Sequence, residues 1–180
     1  MHAIAVVGSG RRAGKTTTVE SLVRELTRRG KKVGTIKQIH EKDFTLDTKR
    51  KDTWRHADAG ARIVATAAPH EVAALKRIDG DRLNEAMKFL KGADLDIVII
   101  EGNPRRELPI IFASGNVEKA KNTKKILKGV KGKLICISAF EPGKFDKSDF
   151  SVPVFHPTKD AKGMADLVEK FLSMEDGPHV

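Results

Sequence analysis

Residues 3–22 read AIAVVGSGRRAGKTTTVESL, and no other stretch constrains the fold as tightly. An apolar, β-branched run (4–8) ends in glycine, as a buried parallel strand does. From Thr17 to Arg29 the apolar residues Val19, Leu22, Val23 and Leu26 then recur at the spacing of an amphipathic helix. A strand must therefore pass into a helix through one short glycine-rich loop. The start of a helix leaves backbone N–H groups without partners and carries the positive end of the dipole. Gly14-Lys15-Thr16 stands at that start, where an anion gains several main-chain donors. Gly14 lets the backbone approach a phosphate, Lys15 can reach β- and γ-phosphates, and the Thr16 hydroxyl can ligate Mg²⁺. Ser9, Gly10, Arg11, Arg12, Ala13, Gly14, Lys15, Thr16 and Thr17 are thus the candidate nucleotide-binding residues.

The spacing departs from the usual signature, Gly, four residues, Gly-Lys-Ser/Thr. Ser9 stands where the first glycine belongs, with Gly8 one residue early and Gly10 one late. The expectation is that Ser9 takes that place while its neighbours lend backbone freedom.

Further along, strand-like runs alternate with helical ones. KVGTIKQ (32–38), LDIVIIEG (95–102), LPIIFAS (108–114) and KLICISAF (133–140) read as strands. GDRLNEAMKFLKG (80–92), the basic NVEKAKNTKKILKGV (116–130), and a closing segment with Met164, Leu167, Val168, Phe171 and Leu172 read as helices. Residues 39–51 have no period and read as a long mobile loop. Asp52 is expected to cap a short helix, TWRHADAGA, and RIVATAA and HEVAALK are strand-like runs separated by Pro69. Residues 173–180 read as a frayed tail, and the whole of 1–180 as one nucleotide-binding domain. This alternation predicts an α/β three-layer sandwich with a mainly parallel sheet, of the P-loop NTPase type. Ligands in such folds bind at the carboxyl ends of the strands. The loops after Val7, Lys37, Ile100 and Ile137 should share that edge.

Glu101, ending the most apolar run, is a candidate for contact with Mg²⁺ or its water, and Gly102 leaves space beside it. Asp96 begins the same run, at the other end of the sheet, and reads as a solvated charge. After the second strand, Lys37, His40 and Asp43 are candidates as well. His40 and Asp43 can coordinate a metal, position water or contact a substrate, with plain polar loop residues as the alternative. Trp54, the sole tryptophan, reads as a packing anchor for this loop.

Composition narrows the classes. One cysteine, Cys136, excludes an intrachain disulfide and a zinc site built on cysteines, and its apolar surroundings predict a buried, inert thiol. No apolar run approaches the roughly 18 residues of a membrane span. The expected setting is cytoplasmic, without membrane contact. The net charge of +10 favours phosphate-bearing ligands or an acidic partner. Because the basic residues are scattered and hardly interleaved with aromatics, nucleic acid is a minor reading.

IAVVGSGRRAGKTTTVESLVRELTRRGKKVGTIKQIHEKDF, then KDTWRHADAGA, then LDIVIIEG, together resemble the molybdopterin-guanine dinucleotide biosynthesis protein B family (MobB). The resemblance covers about the first hundred residues, and the block 37–61 carries its most specific part. In the family pattern Lys-His-Thr-His-His-Asp, Lys37 and His40 match, Gln38 and Glu41 replace histidines, and Asp43 matches the final Asp across one extra residue, Lys42. Asp47 and Lys51-Asp52-Thr53-Trp54 also map onto the family, with Lys49-Arg50 in place of its Pro-Gly. Its Glu-Gly-Phe-Lys becomes Glu101-Gly102-Asn103-Pro104, with Arg105 standing in for the lysine's charge. The resemblance implies a homodimeric GTP-binding protein with slow GTP hydrolysis. Such a protein assists the guanylyl-transferring partner that attaches GMP to molybdopterin, for molybdenum or tungsten enzymes. Lys15, Glu101 and Asp43 would then serve turnover, and Thr16 and Glu101 would face the metal.

Two other classes stand beside this one: a small-molecule kinase or ligase using ATP on the same loop, and a metal-delivery maturation GTPase. No Asn-Lys-x-Asp is present, so the residues leave ATP open and GTP rests on the resemblance. ISAFEP (137–142) lies where a base-facing loop can follow a strand, with the Ala139 N–H a candidate donor to guanine O6.

Overall fold

The computed structural model of the chain describes residues 1–121, 130–146 and 150–174. They fall into two compact units, Met1–Gln38 with the chain from Ala86 onward, and Ile39–Glu85. In chain order the strands are β1 (His2–Gly8), β2 (Val33–Lys37), β3 (Ile63–Ala68), β4 (Glu71–Lys76), β5 (Ile97–Glu101), β6 (Ile110–Ser114), β7 (Leu134–Ala139) and β8 (Val154–Phe155). The helices are α1 (Lys15–Arg28), α2 (Asp52–Asp58), α3 (Arg82–Leu90), α4 (Val117–Lys121) and α5 (Ala161–Met174).

The first unit is built on a six-stranded sheet in the order β2-β5-β1-β6-β7-β8. Every neighbouring pair in it is parallel. Parallel strands need covering on both faces, and the sequence supplies apolar residues at successive positions to match. Ile4, Val6, Ile97, Ile99 and Ile111 face Val19, Leu22 and Leu26 of α1 and Met164 and Val168 of α5 in one buried cluster. Phe112 and Ile137 form a second cluster with Ala120 of α4, and Ala5, Val7 and Ile110 a third. Helices thus cover both faces, the α/β arrangement that the alternating pattern predicts. Leu22 and Leu26 are almost wholly buried, each contributing about 1.5–3 kcal/mol.

Polar contacts fasten α1 to α5. Arg29 reaches Glu169 at 2.6 Å, Asp166 at 2.7 Å and Glu25 at 2.8 Å, and donates to the Lys162 carbonyl at 3.0 Å. Partial burial works against the Arg29 charge, but its hydrogen bonds to Glu169, Glu25 and Asp166 outweigh that and raise its pKa. Hydrogen bonds from Arg28 and Arg29 hold the Glu25 carboxyl down to about 2. Cys136 is fully buried, and that burial pushes its thiol up to about 12. Asp96 is more than a solvated charge, because its carboxylate accepts the Lys32 N–H at 2.8 Å.

In the second unit β3 and β4 form an antiparallel hairpin, with Ala68 opposite Glu71 across Pro69-His70. Its surface is open: Ile63 is 50% and Val72 77% exposed. Residues 39–51 carry turns and bends. Asp47 organises the end of that loop, accepting the Thr48 N–H at 2.8 Å and the Thr53 hydroxyl at 2.7 Å. Lys51 takes the N-cap position of α2 and no side-chain capping bond forms. Asp52 is therefore a first-turn residue rather than the expected cap, placed where the dipole favours its charge. Trp54 is half-buried.

The strand β8 was not legible beforehand. The basic helix expected over 116–130 is described as far as Lys121, and its 122–129 part lies outside the described residues. The same holds for 175–180 of the expected tail. No helix among the described residues is long and apolar enough to cross a membrane.

Candidate functional site

The loop from β1 to α1 opens at the carboxyl edge of the sheet. Ser9 begins it by donating its N–H to the Ala113 carbonyl on β6, at 3.1 Å. Left-handed backbone then appears at Gly10 (φ 144°), Arg12 (φ 58°) and Gly14 (φ 89°), but not at Ser9. Nothing about the backbone at the first-glycine position therefore requires a glycine. Gly8 is constrained for another reason: a Cβ there would lie 2.7 Å from Lys15 Cγ. Its bare backbone lets the lysine fold back along the loop, where Nζ donates to the Gly10 carbonyl at 2.8 Å. The irregular spacing thus separates two duties, steric space at Gly8 and torsional freedom at Gly10.

Three side chains from three strand or helix ends meet beside this loop. The Thr16 hydroxyl donates to Glu101, with its oxygen 3.1 and 3.2 Å from the two carboxylate oxygens. Lys37 Nζ lies 3.8 Å from Glu101 Oε1. Since the Thr16 proton points at Glu101, its oxygen lone pairs remain available to a cation. One carboxylate and one hydroxyl suit Mg²⁺, which keeps several waters and draws further oxygens from phosphates. Among the described residues no group of three or more His, Cys, Asp or Glu is arranged to hold a metal. A cation here would thus take the rest of its shell from water and phosphate oxygens.

Sequence reasoning missed the buried support under the loop. Thr18 donates its hydroxyl to the Gly14 carbonyl at 2.8 Å, and its oxygen is 2.8 Å from Ser138 Oγ on β7. A threonine hydroxyl has one proton, so Ser138 must be the donor to Thr18. Both side chains are buried. The visible signals were a third threonine in the first turn of α1 and a serine inside the apolar run of β7.

The other side of the loop is aromatic. The Phe140 ring lies against Gly14, where a Cβ would come within 2.9 Å of it, and meets His156 edge-on at 5.9 Å between centroids. His156 Nδ1 faces the Thr158 and Lys159 N–H groups at 3.2 Å, so it acts as an acceptor. Phe140, Ala139, Glu141, Ser114 and Asn116 line a cavity of about 270 Å³. That cavity lies at the carboxyl edge, on the β6–β7 side of the loop, whereas Glu101 and Lys37 lie on the β5–β2 side. A larger cavity, about 400 Å³, is lined by His2, Asp96 and the ends of α1 and α5. It belongs to the opposite edge of the sheet, away from the loop.

The structure thus brings Lys15, Thr16, Lys37 and Glu101 together in the first unit. His40 and Asp43 belong to the second unit, both on exposed loop backbone.

Comparison with known proteins bears on the family and the fold. The family model described as molybdopterin guanine dinucleotide synthesis protein B matches residues 3–137. A putative molybdopterin-guanine dinucleotide biosynthesis adapter protein of Methanocaldococcus jannaschii is 35% identical over 103 residues, 57% of this chain and 41% of that protein. The molybdopterin-guanine dinucleotide biosynthesis adapter protein of Haemophilus influenzae is 33% identical over 104 residues, 56% of each chain. The match therefore spans about half the length of these relatives. Among solved structures, a MobB homologue from Bacillus stearothermophilus superposes with a TM-score of 0.68 at 22% identity, covering 96% of this chain and 99% of that one. The MobB of Bacillus subtilis gives 0.67 at 25% identity, covering 94% and 97%. With three quarters of its length matched by the family model and its sheet shared with these structures, the chain belongs to the molybdopterin guanine dinucleotide synthesis protein B family.

Proposed function

We propose that this chain is a GTP-binding, slowly hydrolysing accessory protein in molybdenum or tungsten cofactor maturation. It assists a guanylyl-transferring partner in forming molybdopterin guanine dinucleotide, in the cytoplasm. The observation that carries this reading is the Lys15–Thr16–Glu101 cluster on a family-matched chain. The loop N–H groups and Lys15 bind the phosphates, and Thr16 and Glu101 hold Mg²⁺, whose charge offsets that developing on the phosphates. The nucleotide runs across the loop, with its base toward the Phe140 cavity and its terminal phosphate toward Glu101. His40 and Asp43 contact the molybdopterin side of the reaction, or the partner. The protein works as a homodimer, a reading supported by the open apolar hairpin with Ile63 and Val72 exposed.

Reconstitution tests this role. Adding the protein to a guanylyl-transferring enzyme with molybdopterin, GTP and Mg²⁺ should raise the yield of the dinucleotide, and Lys15→Ala should abolish the gain. An equal gain with the Lys15→Ala variant would show that the nucleotide site plays no part.

A further inference from the structure

Gln38 is the residue just beyond β2, and its backbone N–H donates to the Glu101 carbonyl at 2.9 Å. It therefore extends the β2–β5 register one step past the Lys37–Glu101 pair, onto the edge where Glu101 receives the Thr16 proton. Its side chain turns against Gly102. A Cβ on Gly102 would lie 2.6 Å from Gln38 Oε1 and 2.8 Å from Gln38 Cβ, and Gly102 adopts φ 134°. The glycine makes the space that the amide fills.

The Gln38 Oε1 atom is buried and has no hydrogen-bond partner. Folded proteins rarely leave a buried acceptor in that condition without a reason. An acceptor cannot be satisfied by a phosphate oxygen, which is itself an acceptor, nor by a carboxylate. It requires a donor. At the terminal-phosphate end of a nucleotide site, the donor that the chemistry supplies is the O–H of the attacking water. Glutamine orients that water in several P-loop hydrolases.

We infer that Gln38 is the water-positioning residue of this chain, its Oε1 accepting a hydrogen bond from the water that attacks the γ-phosphorus. The inference rests on the nucleotide reading above. In the step, the water oxygen forms the new bond to phosphorus. The bond from phosphorus to the β–γ bridging oxygen breaks, and its electron pair stays on the departing diphosphate. The water proton leaves on the inorganic phosphate. The amide gains and loses nothing, so Gln38 acts by orientation, with Gly102 preserving its place.

The test uses the full chain with Mg²⁺ and a fluorescent GDP, with and without aluminium fluoride, a mimic of the in-line transition state. Gln38→Leu should bind GDP as the parent does. It should bind the aluminium fluoride complex roughly tenfold or more weakly and lose turnover to a similar degree. Gln38→His replaces the acceptor by one that titrates. Its turnover should recover above about pH 6.5, where imidazole is neutral, and fall below it, whereas the parent shows no such limb. A Gln38→Leu variant that binds the GDP–aluminium fluoride complex as tightly as the parent does would overturn the assignment. So would a Gln38→His profile without an inflection. A parent that binds GDP but forms no aluminium fluoride complex would also overturn it while leaving nucleotide binding standing. Failure of the parent to bind GDP would sink the nucleotide reading itself.

Discussion

Thr16 and Glu101 stand 85 residues apart in sequence, yet the threonine hydroxyl donates to both carboxylate oxygens within 3.2 Å. The contact exists because β5 pairs with β1 in parallel register, Val6 opposite Glu101, so that β5 ends beside the start of α1. The acid is thereby aimed at the hydroxyl that would face a cation. Removing its charge while keeping its shape separates binding from turnover.

Glu101→Gln should bind nucleotide nearly as the parent does but hydrolyse it roughly 10²-fold more slowly, because the lost charge acts through the metal and its water. Single-turnover rates alongside titrated affinities decide the point. An unchanged rate would remove Glu101 from the chemistry.

Gly8→Ala places a methyl 2.7 Å from Lys15 Cγ and so pushes the lysine off its path. Nucleotide affinity should drop, while the urea midpoint changes little, since only one flexible side chain must move. If the midpoint falls and affinity holds, Gly8 serves the strand rather than the lysine.

The buried hydroxyl pair predicts an ordered series. Thr18→Val strips partners from both the Gly14 carbonyl and Ser138 and should cost about 1–3 kcal/mol, whereas Ser138→Ala removes one donor and should cost about 0.5–1.5 kcal/mol. Urea denaturation gives both values. The reverse order would mean that Ser138, not Thr18, is the hub.

Acid should loosen the α1–α5 junction. The Glu25 carboxyl sits at about 2 in the folded chain against an ordinary value of 4.5. A depressed value stabilises the fold fully above 4.5, and that contribution drains away as pH falls toward 2. The difference in urea midpoint between the parent and Glu25→Gln should therefore shrink between pH 5 and pH 2. A constant difference across that window would show that Glu25 does not feel its arginines.

The sequence exposed some of these features more readily than others, for physical reasons. The β1–α1 unit was legible because a β-branched run, a glycine turn and a 3.6-residue period followed one another directly. Glu101 was legible because a parallel sheet puts the end of its strand on the same carboxyl edge as the loop. The two-residue β8 has no pattern of its own and exists only by pairing with β7. Thr18 and Ser138 are separated by 120 residues, and only the packing of α1 against the sheet brings them together. Gln38 read as a mere departure from the family histidine. Its buried oxygen and the Gly102 that accommodates it appear only in three dimensions.

The most direct test of the account is a competition titration of the Mg²⁺-saturated protein with GTP and ATP, using Lys15→Ala as the control. The account predicts that GTP binds in preference to ATP. It also predicts that the lysine variant loses about 1.5–3 kcal/mol of that affinity, the usual worth of a hydrogen bond to a charged group. Preference for ATP, or equal affinity in the variant, would contradict it.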